Sequence, residues 1–480
     1  MIDREAVRSN AQYLQQVRPI DPAEIAEYIE GQPHPAVVAQ TLREEAFDLG
    51  LVEREDGTFV PLEAETVPHR EWSPTALPAD YSRAVEDLLV ERHGANWHRG
   101  ESGTTLRSTI RELKADYLAG DDIEYDATTA AGYAIYHLPA YYAAVGYVLA
   151  TLTERGLLPA SLRVLDVGAG VGGPGLGLHD LIFGDEPDDR DPTAGRVDYH
   201  AVEPSPAADV LARLLDETTR NFRSTIHRST IEDFDYGEVD DPFDLIVFGN
   251  VCNELDDPVA VVDSAAAQLA DDGTILLLEP ADRNTAIGLR RIERAVVGDD
   301  VTVYAPTLRL WDGAEPDDRG WSFDVRPELA VPPFQERLAE GATEAGEADP
   351  AAFRNVDVQF AYSLLRRDEE RRYPFRASRE RHARMAAMDD HVTERIDLLA
   401  VKLSHDLSDG DNALFLIGDG SQTTDHYAVL TKESALNRAL ATADYGAVLS
   451  FENTLALWND DEDAYNLVVD GETVVDRLSG

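Results

Sequence analysis

The run Arg163-Val164-Leu165-Asp166-Val167-Gly168-Ala169-Gly170-Val171-Gly172-Gly173 constrains this chain more than any other. An apolar, β-branched stretch ends in an acid and passes at once into alternating glycines. Glycine takes positive φ without steric cost, so the spacing predicts a tight turn from a strand into a helix, with bare backbone open to a ligand. The first N–H groups of that helix have no partner within it. Short apolar runs follow at 197–202, 224–227, 243–248 and 273–278, most of them trailed by helix-like stretches. This alternation predicts an α/β fold, a Rossmann-like, doubly wound parallel sheet. Residues 185–195 read as a charged, exposed insertion.

Spacing alone leaves two cofactors open. Gly168, Gly170 and Gly173 also satisfy G-x-G-x-x-G, in which the helix N-terminus takes a dinucleotide pyrophosphate. The surrounding acids favour a different ligand. Asp166 ends the first strand, where it would hold an ammonium directly or through water. Glu203 ends the second strand and suits ribose hydroxyls, although an acid in that place also serves nicotinamide sites. Glu232 and Asp233 follow the third strand, where an acid reaches an adenine amino group. The segments Phe243-Asp244-Leu245-Ile246-Val247-Phe248-Gly249-Asn250 and Asp272-Gly273-Thr274-Ile275-Leu276-Leu277-Leu278-Glu279-Pro280 look like those of class I methyltransferases. The expected cofactor is therefore S-adenosyl-L-methionine, held by Asp166, Gly168, Gly170, Gly172, Glu203, Glu232, Asp233 and Asn250. A nicotinamide cofactor and a purely structural glycine turn are the other readings.

After the fourth strand, Asn250 and Asn253 are the candidate catalytic residues, placed to position a planar acceptor. The alternative for Asn253 is that it caps the next helix. Cys252 reads as a buried spectator. Methyl transfer depends mainly on alignment, so no acid–base dyad is expected.

The flanks read as separate modules. Residues 1–67 show a helix opening at Asp21-Pro22, a second over 34–49 stopped by Gly50, and two strands around Asp56-Gly57. That order predicts a winged-helix-like module, with a packing or dimerisation module as the alternative. A linker is expected over 68–78. Residues 80–157 form a helical lead-in whose last helix runs over 130–149, and 158–370 form the methyltransferase-like domain. Within it, 301–350 reads as irregular and acidic, and 356–365 as a strand. Residues 366–384 are rich in arginine. Strands at 396–403, 413–417, 427–430, 447–451 and 466–469 predict a small β-barrel of the OB kind over 395–480.

Composition sets the environment. The 480 residues carry 92 acidic and 42 basic side chains, a net charge of −50, and the lysines are Lys114, Lys402 and Lys432 alone. Such a surface repels itself in dilute buffer, and the repulsion largely vanishes at molar salt, where the Debye length falls to about 3 Å. The chain reads as halophilic, so its acidity says little about partners. No apolar run reaches the roughly 18 residues needed to span a bilayer, and no signal pattern opens the chain. The expectation is a soluble cytoplasmic protein with no membrane partner. With Cys252 the single cysteine, neither an internal disulfide nor a cysteine-ligated zinc or iron–sulfur site can be built.

A wider set of residues carries a family likeness. Tyr136-His137-Leu138-Pro139-Ala140-Tyr141-Tyr142 precedes the glycines, and Asn253-Glu254-Leu255 follows the fourth strand. Leu278-Glu279-Pro280 leads to Leu289-Arg290-Arg291-Ile292, Ala305-Pro306 and Phe360-Ala361-Tyr362-Ser363-Leu364-Leu365. In that order they resemble the mitochondrial small-ribosomal-subunit methyltransferase-like family, which has bacterial and archaeal members, over residues 125–370. The resemblance implies S-adenosylmethionine binding and a role on ribosomal RNA or the small ribosomal subunit during its assembly. It also marks a departure. Relatives carry cysteines after the Ala-Pro element that hold an iron–sulfur cluster, whereas residues 305–311 and 321–323 hold none, as in a haloarchaeal-type member lacking the cluster. Trp311, Trp321 and nearby arginines would have to replace any RNA surface the cluster shapes, or that role is lost. The alternatives are a non-catalytic, RNA-binding assembly factor that retains the fold, and a small-molecule methyltransferase.

Overall fold

In a computed structural model, residues 2–119, 125–185, 189–239, 241–298, 300–313 and 321–479 are described. The chain divides into two compact units, Met1–Gly249 with Pro327–Val358, and Asn250–Arg326 with Gln359–Gly480.

The first unit opens with helices Arg4–Leu14, Pro22–Tyr28 and Pro35–Leu49, then strands β1 (Leu51–Glu53) and β2 (Phe59–Pro61) paired antiparallel. Local chemistry explains the ends. The Asp3 and Asp21 side chains accept backbone N–H groups at their helix starts, and Gly50 closes the third helix at φ 73°. The first helix escapes a periodicity reading because its buried face is only Val7, Ala11 and Leu14. Arg4 and Arg8 pair with Glu44 and Glu45 on the third helix. Three helices and a two-stranded wing give the winged-helix-like module, around a core that includes Val7, Ile20, Ile25, Val38, Leu42 and Phe59.

Four helices follow: Ala79–His93, Gly100–Ala119, Ala127–Tyr136 and Leu138–Thr153. The helix expected over 130–149 is thus two helices, broken at His137 because Pro139 starts a new first turn more readily than it continues an old one. Strands β3 (Ser161–Val167), β4 (Arg196–Val202), β5 (Phe222–His227) and β6 (Phe243–Gly249) then form a parallel sheet in the order β5-β4-β3-β6. Val164 stands beside Tyr199 on one side and Leu245 on the other. Parts of the predicted 185–195 insertion, 186–188, lie outside the described residues.

In the second unit, β7 (Leu269–Pro280) and β8 (Thr302–Ala305) lie either side of β10 (Val358–Arg366), antiparallel to it, and β9 (Asp324–Arg326) also pairs with β10. The stretch 301–350 is therefore not irregular: it holds β8 and β9 here and, in the first unit, helix Pro333–Glu344, whose acids sit on an exposed face over buried Phe334, Leu338 and Ala342. Taken in chain order, these strands and β3–β6 are those of a class I methyltransferase core.

The last six strands are β11 (Arg395–Lys402), β12 (Ala413–Gly418), β13 (His426–Leu430), β14 (Val448–Asn459), β15 (Ala464–Val469) and β16 (Val474–Arg477). The order β11-β12-β13-β15-β14 closes through β14 pairing with β11, and β13 runs parallel to β15. A short helix, Arg438–Thr442, joins β13 to β14. This is the five-stranded Greek-key closure of an OB-like barrel, filled by Leu398, Phe415, Ile417, Leu449, Phe451 and Leu467.

Candidate functional site

The predicted turn is present. Between β3 and helix Gly173–Phe183, the chain takes φ of 63° at Gly168, 54° at Gly170 and 98° at Gly172. A Cβ at Gly172 would lie 2.6 Å from Leu211 Cδ1, so this position needs glycine for packing as well as for φ. At Gly170 the nearest atom to such a Cβ is Gly168 O at 3.9 Å, which leaves open space against the backbone. Glu203, buried at the end of β4, holds the loop: Oε2 accepts from Gly170 N at 2.8 Å and Oε1 from Ser205 N at 2.9 Å.

Asp166 lies beneath the turn, 1% exposed. Its Oδ2 accepts from the Tyr199 hydroxyl, while Oδ1 is buried with no partner among the described residues. Burial pushes its pKa up to about 7, against the lowering effect of the Tyr199 hydrogen bond, with Glu203 adding to the rise. Glu232 and Asp233 lie on an exposed turn after β5, where Asp233 N donates to Thr230 Oγ1. Of the predicted acids, the structure brings Asp166 and Glu203 to the loop.

One feature of this unit was not singled out as a site from sequence. Tyr133, His137 and Tyr141 form a ladder of half-buried rings across the junction of helices Ala127–Tyr136 and Leu138–Thr153. Centroids are 4.8 Å apart for Tyr133–His137 and 5.4 Å for His137–Tyr141, the latter pair stacked at 12°. The ladder ends at the loop, since a Cβ at Gly173 would lie 3.0 Å from Tyr141 Cβ. Lys114 Nζ sits 4.0 Å from the centroid of the Tyr136 ring. Burial, assisted by Lys114, lowers His137 to about 3, so the ring is neutral. The spacing of four between these aromatics was the available signal.

In the second unit, Asn250 has φ 60° and is 5% exposed. Its N–H donates to Leu278 O at 2.7 Å, but neither Nδ2 nor Oδ1 has a partner among the described residues. Cys252 N donates to Glu279 Oε1 at 3.0 Å, and Glu279 Oε2 is buried without a partner among the described residues. Burial pushes Glu279 up to about 8 and raises the Cys252 thiol well above its usual range. Asn253 is exposed in the turn Cys252–Glu254. It does not cap the next helix: Asp257 does, accepting from Ala260 N at 3.1 Å, because the proline at 258 sets the helix start four residues later. Trp311 is buried in this unit and donates to Asp419 Oδ2 at 2.6 Å, so it is a packing residue and not a replacement RNA surface. Trp321 is 45% exposed.

A methyltransferase-domain family model matches residues 140–330. Two models of one domain of unknown function, DUF8157, match the flanks: its N-terminal domain at 4–55 and its C-terminal domain at 386–478. Among curated proteins none matches the chain. Among solved structures, the plantazolicin methyltransferase BamL aligns at 11% identity and TM-score 0.29, over 60% of this chain and 97% of its own. A precorrin-6y C5,15-methyltransferase from Geobacter metallireducens aligns at 17% and 0.22, over 30% and 64%. The glycopeptide N-methyltransferase MtfA, complexed with S-adenosyl-L-methionine, aligns at 23% and 0.21, over 26% and 47%. Likenesses of this size say nothing of the substrate.

Proposed function

We propose that this chain is an S-adenosylmethionine-dependent methyltransferase acting on RNA, with the ribosomal RNA of the small subunit as its acceptor. The observation that carries the reading is the ring ladder Tyr133–His137–Tyr141 ending at Gly173, beside the glycine loop. Stacked half-buried rings favour a planar acceptor, and base–aromatic stacking contributes ~1–3 kcal/mol per base. Neutral His137 adds a face without adding charge. An OB-like barrel on the same chain is a fold that binds oligonucleotides in other proteins. The ordered resemblance over 125–370 directs the choice towards the small ribosomal subunit. The net charge of −50 opposes RNA binding in dilute buffer and is screened at molar salt.

The residues present fit the cofactor. The unpartnered Asp166 Oδ1 suits an ammonium, and the open backbone at Gly170 suits a ligand lying against the loop. Bound there, the cofactor supplies an electrophilic methyl group on a sulfonium. Each Glu203 oxygen accepts one backbone N–H and keeps a lone pair for a ribose hydroxyl. The chain's task is then to align acceptor and donor and to exclude water.

A second reading has one observation in its favour. Glu203 already ties Gly170 N and Ser205 N together, so the loop is satisfied by the chain's own groups, as a non-catalytic assembly factor requires. Calorimetric titration of S-adenosylmethionine at molar salt, followed by incubation of small-subunit RNA with methyl-tritiated donor, separates the two. Donor binding with label in the RNA is expected. Donor and RNA binding without label supports the second reading, and no donor binding overturns the first.

A further inference from the structure

Two buried side chains at the ends of adjacent segments of the second unit are incompletely paired. Among the described residues, Asn250, 5% exposed, has no partner for Nδ2 or Oδ1, and Glu279, 1% exposed, has none for Oε2. They are neighbours through the backbone: Asn250 N bonds Leu278 O at 2.7 Å, and Cys252 N bonds Glu279 Oε1 at 3.0 Å. Asn250 is also held at φ 60°, a conformation a non-glycine residue adopts at some cost. Unpaired buried polar groups are rare in folded proteins. Three such atoms, on a strained residue and its neighbour, mark a place that a ligand completes.

We propose that Asn250 and Glu279 form a base-reading pair for the acceptor, taking a pyrimidine through its hydrogen-bonding edge. The inference rests on the RNA-directed reading above. The carboxamide offers a donor at Nδ2 and an acceptor at Oδ1. Burial keeps the Glu279 carboxyl protonated near neutrality, with Cys252, Glu254 and Asp282 as the groups facing it, so Oε2 is a second donor. Two donors and one acceptor, all uncharged, suit neither a phosphate nor an ammonium, which would lack a fixed opposite charge once buried. They match by count the edge of a pyrimidine, which presents two acceptors and one donor. The pairing edge of adenine presents one of each, and that of guanine one acceptor and two donors. The sequence singled out Asn250, whereas Glu279 entered only as part of a strand phrase.

The test measures binding, not methylation. The full chain at molar salt is titrated by fluorescence anisotropy with labelled oligocytidylate and oligoadenylate of equal length. At pH 7 the cytidylate should bind about tenfold tighter, because adenine also takes the carboxamide but leaves the buried Glu279 donor unpaired. Asn250→Ala and Glu279→Ala should abolish the preference. Glu279→Gln, which keeps an uncharged donor, should retain it. At pH 9 the wild type should lose the preference as Glu279 ionises, and Glu279→Gln should not. Circular dichroism and a thermal melt of each variant report whether it is folded. RNA binding whose base preference ignores all three variants means that only water completes the pair. That result overturns the inference and leaves the RNA reading intact. Failure to bind either oligonucleotide overturns both.

Discussion

The Tyr199 hydroxyl donates to Asp166 Oδ2 and leaves Asp166 Oδ1 buried without a partner. Burial holds the carboxyl near 7, and the Tyr199 bond is what keeps it from rising further. An ammonium binds the ionised form best, so affinity for S-adenosylmethionine should increase as pH rises through about 7. Calorimetry at pH 6 and pH 8 measures it. Asp166→Asn should weaken binding about tenfold at pH 8 and flatten the profile. Tyr199→Phe should move the midpoint upward, and a midpoint that moves down would contradict the assignment.

The same groups set how stability varies with pH. Asp166 goes from an ordinary 3.8 to about 7 on folding, and Glu279 from 4.5 to about 8. A raised carboxyl binds its proton more tightly in the folded chain, so its stabilisation is complete below the unfolded value and is lost as pH rises through the folded one. Each contributes a slope of ~1.4 kcal/mol per pH unit within its window. Denaturant midpoints at molar salt should therefore fall between about pH 4.5 and pH 8. The Asp166→Asn, Glu279→Gln double variant should show a shallower fall, and an unchanged slope would contradict the pKa values.

Two glycines of the loop should fail differently. Gly172→Ala meets both φ 98° and Leu211 at 2.6 Å, and should lose ~1–3 kcal/mol of stability along with donor binding. Gly170→Ala has space, with the nearest atom at 3.9 Å, and pays mainly for its φ of 54°, ~1–2 kcal/mol. The new methyl group occupies the side a ligand approaches, so its donor affinity should fall more than its stability. Thermal melts paired with calorimetry separate the two effects.

Trp72 lies in the segment expected to be a linker, yet it is buried, and its Nε1 donates to Ala143 O at 3.0 Å. A Cβ at Gly146 would come within 2.1 Å of the ring, so Gly146 is the notch that admits it. Trp72→Ala should cost ~3–5 kcal/mol, measured by chemical unfolding. A loss below 1 kcal/mol would make the segment a linker after all.

That pair shows where sequence reading stops. Asp21-Pro22, Gly50 and Asp56-Gly57 act through their own backbone and were legible, as were the apolar runs of β3–β7 and the glycine turn. Trp72 could not be placed, because the notch that receives it is more than seventy residues away. The barrel was legible as a run of short strands with turns between them, whereas the register that closes it, with Val401 beside Val448 and Arg395 beside Leu455, was not. Around the glycine loop, the positions of Asp166 and Glu203 were legible from their places at strand ends. The unpaired atoms of Glu279 were not, since burial and missing partners are properties of the folded chain. The ladder was readable in principle from the spacing of Tyr133, His137 and Tyr141.

The charge of −50 predicts a salt requirement. Raising potassium chloride from tenth-molar to molar shortens the Debye length from about 10 Å to about 3 Å, and the melting temperature should rise across that range. A melting temperature that does not rise with salt would remove the halophilic reading.

In the proposed function, the loop after β3 binds a methyl donor whose methyl group goes to RNA. This is tested most directly by incubating the full chain at molar salt with methyl-tritiated S-adenosylmethionine and small-subunit RNA, beside the Asp166→Asn variant. Label in RNA with the wild type, greatly reduced with the variant, is the predicted result. Calorimetric silence towards the donor, with no label in RNA, would contradict it.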